Sequence, residues 1–95
     1  LHIDAVSSSD VGTIVQGAAS QSVDLSEWLD SSSNTLSRFN KDGYFMTKKT
    51  SAPADGDLNN GELAIWLDAT PGTTLAKFKA KDSGGTVRTG SVTLS

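Results

Sequence analysis

Oxygen-bearing side chains crowd residues 55–62, where Asp55, Asp57 and Asn59 occupy alternate positions. Oxygen ligands at this spacing suit a hard cation such as Ca²⁺. The segment fails the EF-hand pattern, however, because Asn60 stands where that loop needs glycine and Trp66 stands where it needs glutamate. We therefore expect a polar turn leading into a strand, with no bound metal and no cofactor.

Two aspartates, Asp30 and Asp68, hold equivalent places in an internal repeat described below. Paired carboxylates are the groups that glycosidases use, but aspartate is also favoured where a hairpin turn begins. The single histidine is His2, so a Ser/His/Asp triad would have to use a residue at the start of the sequence. We expect turn-forming aspartates and no enzymatic activity.

Trp28 and Trp66 are the side chains best suited to binding a ligand, because an exposed indole face can stack on a sugar ring. Each is followed directly by leucine and aspartate. Tryptophan beside leucine favours burial in a core or an interface. We interpret both as packing residues with equivalent roles, and keep the sugar-stacking platform as the alternative.

The composition limits the class of protein. The chain has 95 residues, 36% of them hydrophobic, and a net charge of −3 with no cysteine. Disulfides and cysteine-based metal sites are excluded, an acidic balance does not favour nucleic-acid binding, and the apolar run 63–67 is too short to cross a membrane. So polar a chain predicts a sparse core that oligomerisation would supplement. Because the sequence starts at Leu1, we expect it to be part of a longer chain.

Closely spaced turn signals indicate many short strands. Asn40 to Gly43 and Asp82 to Gly85 are typical of tight hairpin turns. Period-two alternation puts Leu63, Ile65 and Leu67 on one face of a strand. In a second strand it puts residues 75, 77 and 79 on one face and residues 76, 78 and 80 on the other. The spacing within residues 20–29 also fits a short helix, but the repeat favours a strand there. The sequence predicts an all-β fold of short antiparallel hairpins.

An internal repeat organises the chain. Its first copy runs from Trp28-Leu29-Asp30 through residues 35–40, and its second from Trp66-Leu67-Asp68 through residues 74–79, with one extra residue in the first turn of the second copy. We expect residues 1–50 to form a first hairpin unit with an N-terminal strand, 51–60 a linker, and 61–95 a second hairpin unit. A lone hairpin cannot bury its apolar side chains, so the packing and trimer-interface candidates are Trp28, Leu36, Phe39, Trp66, Leu75 and Phe78.

Three stretches carry a resemblance to a known class of proteins. Residues 15–28 (VQGAASQSVDLSEW) resemble a repeat found in phage tail fibres and related fibrous virion proteins. Residues 61–68 (GELAIWLD), 78–82 (FKAKD) and 85–92 (GTVRTGSV) resemble segments of phage and prophage structural proteins.

The resemblance implies a β-rich, homotrimeric, shaft-like structural protein on a virion that supports attachment to a host. In that setting the small residues Gly17, Ala18 and Ala19 would let three chains approach closely at an axis, although a plain loop is the alternative for this run. The expected partner is the chain itself, with neither nucleic acid nor membrane insertion. A receptor- or carbohydrate-binding tip, which would bind a host-surface receptor or glycan, is the second functional hypothesis, and a monomeric β-sandwich is a third architecture.

Overall fold

The computed structural model describes residues 7–95 and has two small antiparallel sheets of three strands each. The first sheet contains β1 (Ser26–Leu29), β2 (Thr35–Phe39) and β3 (Phe45–Thr47), and the second contains β4 (Leu63–Asp68), β5 (Leu75–Lys81) and β6 (Val87–Thr93). A single 3₁₀ turn, Asp55–Asp57, lies between them. The predicted all-β class is confirmed, and the stretch that also fitted a helix contains β1 instead.

Each sheet is a meander in which consecutive strands pair, in the order β1-β2-β3 and β4-β5-β6. Each repeat unit therefore has one strand more than the hairpin that the sequence predicts. The third strand follows a loop that begins at Asn40 in the first sheet and at Asp82 in the second. Tight loops connect all neighbouring strands, as antiparallel pairing allows.

Three of the four hairpin loops share one hydrogen-bond pattern. The first residue of each loop donates its N–H to the carbonyl four residues later, and its own carbonyl accepts from the N–H three residues later. The residue three positions after the first one, whose N–H makes the second of these bonds, has positive φ. Glycine adopts positive φ without steric cost. These loops begin at Asp30, Asn40 and Asp82, with positive φ at Ser33, Gly43 and Gly85.

The fourth loop, between Asp68 and Leu75, is longer and changes the register of its hairpin. Trp28 lies opposite Ser37 in the first sheet, whereas Trp66 lies opposite Lys77, the counterpart of Arg38, in the second. A one-residue change of register moves a strand's side chains to the other face. The first hairpin has a register irregularity between Trp28 and Leu29, whereas the second has the extra loop residue and no irregularity. Together these differences turn β5 over relative to β4, compared with β2 and β1.

The repeat does not place equivalent residues on equivalent faces, and the prediction that the two tryptophans have matching surroundings is wrong within the single chain. Trp28 shares a face with Phe39, and Trp66 shares a face with Leu75. Leu75 and Phe78 are three residues apart on a regularly paired strand, so they lie on opposite faces. The predicted cluster of Trp, Leu and Phe on one face therefore does not form in the second sheet.

Buried apolar side chains are few, as the composition predicts. Within residues 7–95 only Leu58 and Trp66 are buried, at 6% and 9% exposure. Leu58 belongs to the segment assigned to the linker, so this linker supplies half of the buried apolar residues. The larger part of the apolar surface remains on the outside of the sheets.

Residues 49–57, here called the cover segment, lie against the face of the second sheet that carries Trp66. The backbone N–H of Leu67 donates to the carbonyl of Lys49 at 2.9 Å. The Nζ of Lys79 donates to the carbonyl of Pro53 at 2.7 Å and to Asp55 Oδ1 at 2.8 Å. The segment between the two repeat units is thus fastened to the second one.

The chain before β1 contains no strand within residues 7–25, so the predicted N-terminal strand is not found in that range. Residues 1–6, including His2, lie outside the described part. Within the described part, no helix has the length and apolar character needed to span a membrane.

Candidate functional site

An aromatic cluster occupies one face of the first sheet. The rings of Trp28 and Phe39 meet edge to face with centroids 5.8 Å apart, and Phe39 and Phe45 lie 5.4 Å apart. Trp28 and Phe45 remain 51% and 56% exposed. Edge-to-face pairs are a favoured aromatic geometry, so the cluster is held in shape while it presents ring surface to solvent.

A cleft beside this cluster is apolar. It is lined by Val15, Leu25, Ser26, Trp28 and Phe39, of which only the serine hydroxyl and the tryptophan indole N–H are polar side-chain groups. A sugar-binding site combines aromatic surface with polar groups that fix the hydroxyls. The cleft itself is better suited to an apolar side chain than to a saccharide.

The opposite face of the first sheet is charged. Arg38 Nη1 donates to Asp24 Oδ1 at 2.6 Å, and this hydrogen bond is the main cause that lowers the pKa of Asp24. Glu27 shares a hydrogen bond with Asp24, and the proximity of the two carboxyls raises the pKa of Glu27. The two faces of this sheet therefore differ sharply in chemistry.

The second sheet also has one apolar face, here called the aliphatic face. Cross-strand pairing places Leu63, Ile65 and Leu67 beside Ala80, Phe78 and Ala76, with Val92 next to Ala76 on β6. Leu63, Ile65 and Val92 are 61%, 51% and 53% exposed. The only charged residue in register on this face is Arg88, which binds Asp82 at the turn end. These side chains form a continuous, partly exposed apolar surface on the second sheet.

The predicted interface residues thus fall into two groups. Trp28 and Phe39 lie together on the aromatic face of the first sheet, and Phe78 lies on the aliphatic face of the second. Trp66 and Leu75 lie on the covered face of the second sheet. Leu36 falls at the register irregularity between β1 and β2 and has no cross-strand partner in that pairing.

Gly17 faces its own chain. A Cβ built on it would meet Leu25 Cδ2 at 3.0 Å and Gln21 Cβ at 3.4 Å, so glycine allows Leu25 to pack closely. The next residues form a turn in which Gln21 N–H donates to the carbonyl of Ala18, and the N–H of Ala18 donates to Gln21 Oε1. Ala18 and Ala19 are exposed on this turn.

The carboxylates that could do chemistry are bound to the backbone of their own turns. Asp30 Oδ1 accepts from the N–H groups of Ser32 and Asn34, each at 2.9 Å, and Asp68 Oδ1 accepts from the N–H and hydroxyl of Thr70. Hydrogen bonds from Asn34 lower the pKa of Asp30, and those from Thr70 lower the pKa of Asp68. Both aspartates have the turn-forming geometry that the sequence favours.

The calcium-like segment is also engaged internally. Asp55 binds Lys79, Asp57 Oδ2 accepts from the N–H of Ala54 at 3.0 Å, and Glu62 Oε1 accepts from the N–H of Asn59 at 2.8 Å. No group of three or more acidic, histidine or cysteine side chains gathers at one point within residues 7–95. The segment works as a capped turn leading into β4.

Two residues important to the fold were not singled out from the sequence. Leu58 falls in the segment predicted to be a linker, and Lys79 in a strand predicted from alternation alone. The partners of Lys79, Pro53 and Asp55, are more than twenty positions away in the sequence, so no local signal points to this contact.

Comparisons with protein-family models, curated proteins and solved structures found no match.

Proposed function

We propose that this chain is a structural module of a phage or viral fibre, which associates as a homotrimer on the virion and supports attachment to a host. The observation that carries the proposal is the uncovered aliphatic face of the second sheet, where Leu63 and Ile65 are more than half exposed. Burying such a face against other copies would supply the apolar core that a single chain lacks.

The sparse core supports the same conclusion. Two buried apolar residues within the described chain, Leu58 and Trp66, give a small share of the apolar burial that usually stabilises a domain. The carboxylates considered for catalysis support turns instead, which agrees with a structural role. Residues 15–28 resemble fibrous virion proteins, and residues 61–68, 78–82 and 85–92 resemble phage and prophage structural proteins. These resemblances give the proposal its class and its location.

The mass of the chain in solution tests the homotrimer. Size exclusion coupled to light scattering should give three times the monomer mass at micromolar concentration, and Ile65→Asp should reduce it because a charge would be buried in the interface. Ile14→Asp is the matched control, since Ile14 is 73% exposed and lies outside both sheets. A monomer at every concentration would contradict the proposal.

A receptor- or carbohydrate-binding tip is the second candidate, and the exposed aromatic side chains favour it. Trp28, Tyr44 and Phe45 are 51%, 69% and 56% exposed and are available for stacking. Glycan-array binding that Trp28→Ala abolishes, with the mass and melting temperature kept, would support the tip. Loss of mass in the same variant would instead assign Trp28 to an interface between chains.

A further inference from the structure

The outer edge of β6 is a free pairing edge. The pairs Asp82–Thr86 and Thr74–Leu94, which flank the β5–β6 ladder, are joined by backbone hydrogen bonds, and the register between them is unbroken. Antiparallel ladders alternate, so the even-numbered residues of β6 bond to β5. The N–H and carbonyl groups of Val87, Thr89, Ser91 and Thr93 point away from the sheet and pair with no described residue.

This edge lacks the features that protect sheet edges from pairing. Natural edges are blunted by lysine, proline, bulges or short length. β6 runs for seven residues without proline or bulge, and Arg88 is its only charged residue. Among the other edges, β1 has an irregularity after Trp28, β3 has three residues, and β4 is occupied at Leu67 by Lys49.

The sequence of β6 is self-complementary about Gly90. Antiparallel pairing of two copies on a two-fold axis at Gly90 sets Thr89 against Ser91 and Val87 against Thr93, and these are the residues whose backbone groups point outward. Each such pair can exchange two N–H···O bonds. The same arrangement sets Arg88 against Val92 of the other copy, so the two arginines do not face each other.

We propose that two copies of this chain pair edge to edge through β6, antiparallel about a two-fold axis at Gly90, to form one six-stranded sheet. A second copy fits better than an unrelated chain because hydroxyl side chains meet on one face and no like charges oppose on the other. Pairing also joins the two aliphatic faces into one, roughly doubling a face of about 300 Å² estimated from strand spacing and rise.

The two-fold contact is separate from the homotrimer proposed above, because a two-fold axis relates chains in pairs. With both contacts present, the assembly contains six chains. With the β6 contact alone, it is a dimer. The mass of suitable variants therefore reports on each contact separately.

Charge placed at Gly90 tests the axis directly. A Cβ built on Gly90 has nothing within 4 Å, so a longer side chain fits the single chain. In the proposed pair, residue 90 of one copy lies directly opposite residue 90 of the other. Gly90→Lys alone and Gly90→Glu alone should each weaken the two-fold association by more than about tenfold through like-charge repulsion. An equimolar mixture should restore it, and Gly90→Ala is the neutral control.

Proline at residue 91 provides a second test. The N–H of Ser91 points outward, and the residue before it is glycine, so proline is tolerated in the single chain. Ser91→Pro should raise the dissociation constant at least about thirtyfold by removing two interchain bonds per pair. Ser91→Ala keeps those bonds and loses only a hydroxyl contact, so it should have a much smaller effect. Circular dichroism and melting temperature confirm that each variant is folded.

Analytical ultracentrifugation over a concentration series distinguishes the outcomes. A hexamer that Gly90→Lys reduces to a trimer supports both proposals, and a dimer that the same change dissociates supports β6 pairing and contradicts the homotrimer. A trimer unchanged by Gly90→Lys and Ser91→Pro overturns β6 pairing and leaves the fibre proposal standing. A wild-type monomer at every concentration overturns both, and failure of the Lys/Glu mixture to associate overturns the axis at Gly90.

Discussion

Trp66 and Phe78 lie on opposite faces of the second sheet, although their repeat counterparts, Trp28 and Phe39, pack edge to face at 5.8 Å. The two hairpins differ in register by one residue: the first has an irregularity between Trp28 and Leu29, and the second has one additional residue in the loop after Asp68. A one-residue change of register moves the following side chains to the other face. One repeat unit consequently displays its tryptophan to solvent, while the other buries it beneath the cover segment.

The two tryptophans should differ in their contribution to stability. Trp66→Ala should lower the free energy of unfolding by about 3–5 kcal/mol, as for other buried tryptophans. Trp28→Ala should lower it by about 1 kcal/mol, since a half-exposed ring mainly loses an edge-to-face contact. Urea denaturation of each variant measures both values. Equal large losses would indicate that Trp28 is buried between chains in solution.

Lys79 should hold the cover segment over Trp66. Its Nζ bonds to Pro53 and Asp55, and its side chain is 13% exposed. Lys79→Met should loosen the segment and shift the emission of Trp66 to longer wavelength, measured with Trp28→Phe as the background so that one tryptophan reports. Lys41→Met is the control, because Lys41 is half exposed and binds only its neighbour Asp42. Unchanged emission in the Lys79 variant would contradict this role.

The turn aspartates should make the fold sensitive to acid. Hydrogen bonds from the backbone, chiefly from Thr86, lower the pKa of Asp82 below its ordinary value of 3.8. The unfolded chain then takes up protons before the folded chain as the pH falls. The stabilisation is therefore complete above the ordinary pKa and is lost as the pH falls through the lowered one.

Exchanging aspartate and asparagine isolates that effect. Asn40 makes the same turn as Asp82, with Oδ1 accepting from the N–H groups two and four residues later, but it does not titrate. Asp82→Asn should make the loss of stability between pH 7 and about pH 2.5 smaller, and Asn40→Asp should make that loss larger. Urea titrations at the two pH values measure the change. The same loss of stability in both variants would show that these turns do not contribute to the acid sensitivity of the fold.

Ser33 should be replaceable by glycine with a gain in stability. It has φ of 66° at the loop position where the two related turns have glycine, and this conformation costs a residue with a Cβ about 1–2 kcal/mol. After the extra backbone entropy of glycine is subtracted, Ser33→Gly should add about 0.5–1 kcal/mol. Gly43→Ala should remove about 1 kcal/mol without crowding, because a Cβ there meets nothing within 4 Å. Thermal melts check both, and destabilisation by Ser33→Gly would contradict the shared geometry.

Local sequence determined the strands and most of the turns. The hairpin loops at Asn40 and Asp82, the β-strand over residues 26–29 and the single face shared by Leu63, Ile65 and Leu67 all follow from turn chemistry and period-two alternation. These features depend on residues within a few positions of one another. The internal repeat was also visible in the sequence, and its two copies correspond to the first two strands of each sheet.

Tertiary structure decided which faces those strands present. The face of Trp66 relative to Phe78 depends on the register across the loop after Asp68, which a comparison of residue types between repeats does not reveal. The engagement of Lys79 depends on the cover segment lying over the second sheet, and its bonds to Pro53 and Asp55 join residues more than twenty positions apart. Side-chain faces in a sheet are set by pairing between strands, so a one-residue difference in register outweighs the similarity of the two repeat sequences.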